Sequence, residues 1–405
     1  MPYLIIKPAL KMRGIFFFSL TFFLLAGCSE IPRNAPPIES IKTISDSNYQ
    51  PYRATAGRIS DFFMDDLVLS YQQEPENSFL DSTTQTKIYP HLVLSGGGPN
   101  GAFGAGILAG WSTQDRPIFK IVTGVSTGAL MAPFAFLGSE YDDELHKFYT
   151  TTKSSDVFLL SNPLFRLLFS DSFADTTPLA RLIEQDITAD LLAKIADEHK
   201  NGRRLYMATT NLDAQSLMIW NMGLIAQRND EKSLQLFRQV MLASASIPVA
   251  FPPVMFAVEH EGKIYDELHV DGAVGANMFY SAGVFNTLQA RQLAQIKNAT
   301  ESLFIIHNGQ LGAVPDATSR SIAGIAQRTF DSVTKAAAVG DIHRLYSLAL
   351  RQNYDFAWIT IPLGIDLTEG EQLFDPVLMK KLYDVGYSLS KPEIPWRALP
   401  PGVEE

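Results

Sequence analysis

The sequence of 405 residues predicts an α/β fold, a mainly parallel sheet covered by helices. Three observations carry this reading. Short strand-like runs alternate with helix-like ones, glycine-rich turns stand where strands pass into helices, and 46% hydrophobic with 11% aromatic residues can fill a sizeable core.

The first segment precedes that fold. Lys7, Lys11 and Arg13 lead into the apolar run Ile15 to Ala26, which closes at Leu25-Ala-Gly-Cys28. A charged start, a short apolar middle and a small-residue end make a secretory signal. The run is shorter than the roughly 20 apolar residues that span a bilayer. Small residues before the lone cysteine resemble a bacterial lipoprotein signal. That resemblance implies removal of residues 1–27 and lipidation of Cys28, and Ser29 after the cysteine favours an outer-membrane destination. An ordinary cleaved signal with Cys28 as an incidental thiol is the alternative, and Met12 offers a second start.

Residues 28–55 are polar and dotted with Pro32, Pro36, Pro37 and Pro51, and read as a lipidated N-terminus and flexible tether. Residues 56–89 read as a helical extension, with apolar positions at helical spacing from Ile59 to Tyr71 and a polar stretch from Gln72 to Thr86. The core follows over residues 90–310. It takes a strand at Leu92 to Leu94, a helix from Gly101 to Trp111, a strand at Ile118 to Thr123 and a helix from Thr127 to Leu137, then strands at Leu205 to Thr210, Ser216 to Trp220 and Leu303 to His307. Residues 311–405 add helices and the strand Phe356 to Ile361, packed on that core. The most apolar stretch of the mature chain, Val157 to Phe169, reads as a buried helical hairpin broken at Pro163, with a lid or acyl-chain site as its functional alternative.

Charge and cysteine content exclude several classes. A net charge of −10 argues against nucleic acid and against adsorption to anionic lipid by charge alone. With one cysteine there is no disulfide framework, so stability rests on core burial. No protein partner is readable.

Two motifs carry chemistry. Gly124-Val-Ser-Thr-Gly128 places Ser126 on a turn between an apolar strand and an apolar helix, where glycine neighbours let the two elements approach and the hydroxyl project. Gly96-Gly-Gly-Pro-Asn-Gly101 offers backbone N–H groups at the positive end of a helix, suited to an oxyanion. The same glycines fit a dinucleotide fingerprint, but the acidic residue expected at the end of the next strand is missing at Thr123-Gly124-Val125.

Together with Ala243-Ser-Ala-Ser-Ile-Pro-Val-Ala-Phe-Pro-Pro253 and Val270-Asp-Gly-Ala273, these blocks resemble the patatin-like phospholipases in order and context. The resemblance implies a three-layer α/β/α patatin-like fold with a catalytic core over residues 90–310, and a Ser-Asp dyad acting on lipid esters without metal or cofactor. Ser126 is then the nucleophile and Asp271 the base. Gly96, Gly97 and Gly98 form the oxyanion hole, and Gly101, Gly124, Gly128 and Gly272 shape the elbow and loops. The sequence departs from the family at Asn100, where Arg or Lys is common. An unperturbed aspartate is a poor base at neutral pH, so Asp271 needs a desolvated or otherwise tuned site.

Other assignments compete. A Ser-Asp-His triad would recruit His307 or His343, which both follow Asp271. Glu267, His269 and Asp271 alternate along one strand face, yet no further His or Cys cluster supports a metal there. The expected activity is a phospholipase A or lysophospholipase acting on membrane lipid. An acyltransferase on the same site and a non-catalytic lipid-binding lipoprotein are its alternatives.

Overall fold

In the computed structural model, residues 32–160, 172, 174–315, 317–367 and 370–403 are described. Residues 1–27, Cys28 and the break read at Pro163 lie outside them. Nine strands build the main sheet: β1 (Arg53–Thr55), β2 (Thr86–Leu94), β3 (Ile121–Val125), β4 (Arg204–Asn211), β5 (Ser216–Asn221), β6 (Val254–His260), β7 (Lys263–Asp271), β8 (Ala299–His307) and β9 (Tyr354–Thr360). Leu80–Asp81 adds a short antiparallel pairing to β2.

The spatial order is β1-β5-β4-β3-β2-β8-β9. The run β4-β3-β2-β8-β9 is parallel throughout. On the other side β5 and β1 turn antiparallel. The hairpin β6–β7 joins through the far end of β4, where Asp271 stands opposite Thr209.

Parallel strands covered on both faces must be apolar on both, and every residue of β3 and β4 is buried. Alternation along β2 sends Leu92 and Leu94 into one apolar cluster and Tyr89 and Val93 into the other. The first cluster is closed by helices α1 (Gly101–Ser112), α2 (Thr127–Leu137), α3 (Glu231–Ser244) and α5 (Pro376–Ser390), through residues such as Phe103, Met131, Val240 and Leu382. The second is closed by Asp61–Gln72 and by α4 (Ile322–Gln352), through Phe63, Leu67, Ala338 and Ile342. This is the three-layer α/β/α arrangement. No helix among the described residues is long and apolar enough to cross a membrane.

The structure departs from the sequence reading in four places. Leu159–Leu160, read inside a buried helical hairpin, form an exposed strand paired with Ala174–Asp175. Residues 38–55, read within the tether, fold onto the body: Ile41–Ser47 is a helix with Ile44 and Ser45 buried, and β1 pairs with β5. Two of this segment's polar residues, Ser45 and Arg53, face a partner and not water: both bond the buried Glu267. Strand β3 starts at Ile121, later than read, since Ile118 is exposed and Lys120 is buried against Glu74. Strand β6 was not read, β7 only as a possible strand through Glu267, His269 and Asp271, and α4 only among the unbounded helices of residues 311–405.

Candidate active site

Strand β3 ends at Val125 and helix α2 begins at Thr127, so Ser126 alone makes the turn between them. Its backbone sits at φ 54° and ψ −124°, a conformation that a non-glycine residue holds only where its surroundings enforce it. The flanking glycines show how. A Cβ on Gly124 would lie 2.4 Å from the Gly128 carbonyl oxygen, and one on Gly128 would lie 2.4 Å from that of Leu94. The amide of Ser126 donates to Ser244 Oγ at 3.0 Å, and Ser244 Oγ donates to the Ala208 carbonyl at 2.7 Å. Ser244 thus ties the elbow to β4.

Asp271 is the last residue of β7 and stands beside this turn. Ser126 Oγ donates to Asp271 Oδ2 at 2.6 Å, and the Ala273 amide donates to Oδ1 at 2.8 Å. The Asp271 amide donates to the Ser246 carbonyl at 2.9 Å, so the carboxylate is anchored through its own backbone. Gly272 allows this approach, since a Cβ there would meet the Ala208 carbonyl oxygen at 2.5 Å. Only 1% of Asp271 is exposed. Burial pushes its carboxyl up from 3.8 to about 7, against the lowering by the Ser126 hydroxyl and the Ala273 amide. A carboxylate so poised can take a proton from a serine hydroxyl near neutral pH.

The glycine loop leaves β2 immediately above the serine. Asn308 holds it, with its amide donating to Ser95 Oγ at 2.8 Å and its Nδ2 to the Ser95 carbonyl at 3.1 Å, while Oδ1 accepts the Gly104 amide at 3.1 Å. Ser95 Oγ in turn donates to the Gly96 carbonyl at 2.7 Å.

The amide of Gly96 donates to the Asn277 carbonyl at 3.0 Å. It is therefore not available as an oxyanion donor, which corrects the three-glycine assignment: the loop's remaining donors are Gly97 and Gly98. Their amides bond no other group among the described residues. Gly98 has φ +55° with open space around it, and the turn Gly98–Asn100 leads into α1. Asn100 sits at this helix start, and Gly101 packs against Thr127 Oγ1.

Next to Ser126 lies a cavity of about 20 Å³, lined by Gly98, Leu130, Val157, Leu179, Phe251 and Phe374 among others. Its walls are mainly apolar, and its volume holds about one water.

The competing residues are placed elsewhere in the bonding network. His307 Nδ1 pairs with Thr360 Oγ1 at 2.9 Å, and burial, with the Lys335 charge, pushes its imidazole down to about 4. His343 Nε2 bonds the Pro401 carbonyl at 3.0 Å. Neither bonds Ser126 or Asp271. Glu267 and His269 belong to a buried network with Arg53, Ser45 and Thr209.

Ser244, Asn277 and Asn308 were not singled out from the sequence as site residues. Ser244 lies within the quoted block Ala243 to Pro253, which was its only local signal; the two asparagines carry none.

Residues 92–284 match the family model described as patatin-like phospholipase. The match runs from β2 past Asp271, so it encloses the glycine loop, the elbow and the aspartate. No curated protein matches the chain. Among solved structures the chain is similar to that titled "Crystal structure of VipD from Legionella pneumophila", with 12% identity and a TM-score of 0.36, over 75% of this chain and 66% of that one. The chain thus spans just under two thirds of that protein's length.

Proposed function

We propose, for a chain whose residues 92–284 form a patatin-like phospholipase domain, that the reaction is hydrolysis of lipid acyl esters through a Ser126–Asp271 dyad and an acyl-enzyme. The observation that carries this reading is the 2.6 Å bond from Ser126 Oγ to a buried Asp271 whose carboxyl is pushed up to about 7.

In the first step Ser126 Oγ attacks the acyl carbonyl carbon while Asp271 takes the hydroxyl proton. Charge develops on the carbonyl oxygen, where the Gly97 and Gly98 amides and the start of α1 stabilise it without reorganising. The tetrahedral adduct collapses, the C–O bond to the alcohol breaks, and Asp271 returns the proton to the leaving oxygen. Water then repeats the sequence: Asp271 takes its proton, the hydroxide adds to the acyl carbon, and Ser126 leaves with the proton as the fatty acid departs.

The preferred substrate is membrane phospholipid or lysophospholipid; the lining beside Ser126 is apolar, as an acyl group needs, and these walls must part from a volume of about one water to admit the chain. The leader and Cys28 support an exported, lipid-anchored protein of the bacterial outer membrane.

A fluorophosphonate probe on the folded, full mature chain tests the nucleophile. The expected result is a covalent adduct on the peptide bearing Ser126, absent in Ser126→Ala and strongly slowed in Asp271→Asn. A folded protein that takes no label rejects the dyad. Lipidation is read separately, by mass spectrometry of the N-terminal peptide from wild type and Cys28→Ser; an unmodified wild-type Cys28 rejects the anchor.

A further inference from the structure

We infer that the side-chain amide of Asn277 is a further oxyanion donor, an inference that rests on the hydrolase reading of Ser126. The starting point is the Gly96 amide, which is engaged by the Asn277 carbonyl at 3.0 Å and cannot serve the oxyanion itself. The side chain of the same asparagine lies where that donor is lost. Asn277 Nδ2 is 3.4 Å from the point a Gly96 Cβ would occupy, Ser126 Cβ is 3.3 Å from it and Ala273 Cβ 3.5 Å. The carboxamide nitrogen and the Ser126 side chain thus border the same space, which the absent side chain of Gly96 leaves empty.

Burial and bonding point the same way. Asn277 is 7% exposed, and its Oδ1 is buried without a hydrogen-bond partner. The donor of the same carboxamide, Nδ2, likewise bonds no group among the described residues, so it is free to donate to an oxyanion. It is not needed to hold the chain. The Asn277 backbone is fixed independently, with its amide donating to Asp341 Oδ2 at 2.8 Å and its carbonyl accepting from Gly96. Asp341 is itself buried on α4 and also receives the Met278 amide at 3.4 Å. The loop is clamped through the main chain of Asn277, and its side-chain amide borders the same empty space at Gly96 as Ser126 does. An asparagine N–H in this position stabilises an oxyanion as a backbone amide would.

Because the clamp engages only the main chain of Asn277, substitution of its side chain leaves the clamp intact, and the test can separate chemistry from folding. Asn277→Ala and Asn277→Asp are compared with wild type on a short soluble p-nitrophenyl ester and with a trifluoromethyl ketone, whose serine adduct carries the oxyanion. The expected result is a fall in kcat of about 100-fold with KM changed less than about threefold, and a parallel loss of ketone affinity. Unchanged kcat in the variants of an active wild type overturns the inference. So does a lowered kcat with ketone affinity retained, or a loss that tracks a lowered melting temperature. A folded wild type that neither hydrolyses the ester nor takes the fluorophosphonate overturns the hydrolase reading itself, and the role of Asn277 with it.

Discussion

Arg53 and Glu267 form a fully buried ion pair, Nη1 to Oε2 at 2.6 Å, that fastens the N-terminal segment to the strand ending in Asp271. Ser45 Oγ completes the attachment at 2.7 Å to the other carboxylate oxygen. Burial alone would raise the Glu267 carboxyl, but the His269 hydrogen bond, the Arg53 charge and the Ser45 hydroxyl together hold it down at about 2.

Arg53→Met leaves that carboxylate buried and unpaired, a loss of about 3 to 5 kcal/mol. Urea denaturation of wild type and variant at neutral pH measures it, and a loss under about 1 kcal/mol would refute the pair's importance. The sign of the pH dependence follows from a depressed carboxylate: its stabilisation is complete above its ordinary value of 4.5 and disappears as pH falls toward about 2. The gap between wild type and Glu267→Gln should therefore shrink across that window.

Asp271 has the opposite sign. A carboxyl raised from 3.8 to about 7 favours its protonated form in the folded chain, so it costs stability progressively as pH rises between those values. Asp271→Asn should match wild type below pH about 4 and gain on it up to about pH 7, by an amount on the order of 4 kcal/mol. Activity runs the other way. The kcat/KM of wild type should rise tenfold per pH unit on the acid side and level off near pH 7, while Asp271→Asn stays inactive throughout. His307→Ala and His343→Ala should keep this profile; loss of activity in a folded His307→Ala would restore the triad.

The legible parts of the site were those whose chemistry is local. Gly124-Val-Ser-Thr-Gly128 announces a strand-turn-helix because two missing side chains are needed within five residues, and the structure shows the two carbonyls they avoid. Asp271 needed the neighbouring blocks to rise above an Asp-Gly turn. What stayed hidden depends on partners far apart in sequence. Nothing near Gly96 reveals that Asn277 takes its amide, and nothing near Ser45 or Arg53 reveals Glu267, so polar residues that pair in the interior read as solvated tether. Helix α4 escaped for a different reason: its apolar residues do not gather into one stripe, so periodicity gives no signal.

Ser244 offers a test of the elbow's rigidity. Ser244→Ala leaves the Ser126 amide and the Ala208 carbonyl without this partner, at a cost of about 1 to 3 kcal/mol in stability. The strained backbone of Ser126 then loses a restraint. Fluorophosphonate labelling of Ser126 should slow by about tenfold while KM for a short ester changes little. Labelling at the wild-type rate would mean that Gly124 and Gly128 alone hold the turn.

The apolar walls beside Ser126, which must part from a volume of about one water to admit an acyl chain, should set its length. Phe251 is buried in these walls and packs on Phe158 at a ring separation of 5.5 Å, so Phe251→Ala opens the wall at a cost of about 3 to 5 kcal/mol. Leu179 lines another part of the cavity, and Leu179→Phe should narrow it. Rates on p-nitrophenyl esters from butyryl to dodecanoyl should shift in opposite directions, toward long chains in the first variant and short chains in the second. Opposite shifts are diagnostic because general destabilisation lowers all lengths together. If both variants keep the wild-type length profile while folded and active, the acyl chain enters from another side of Ser126 and this cavity is packing space.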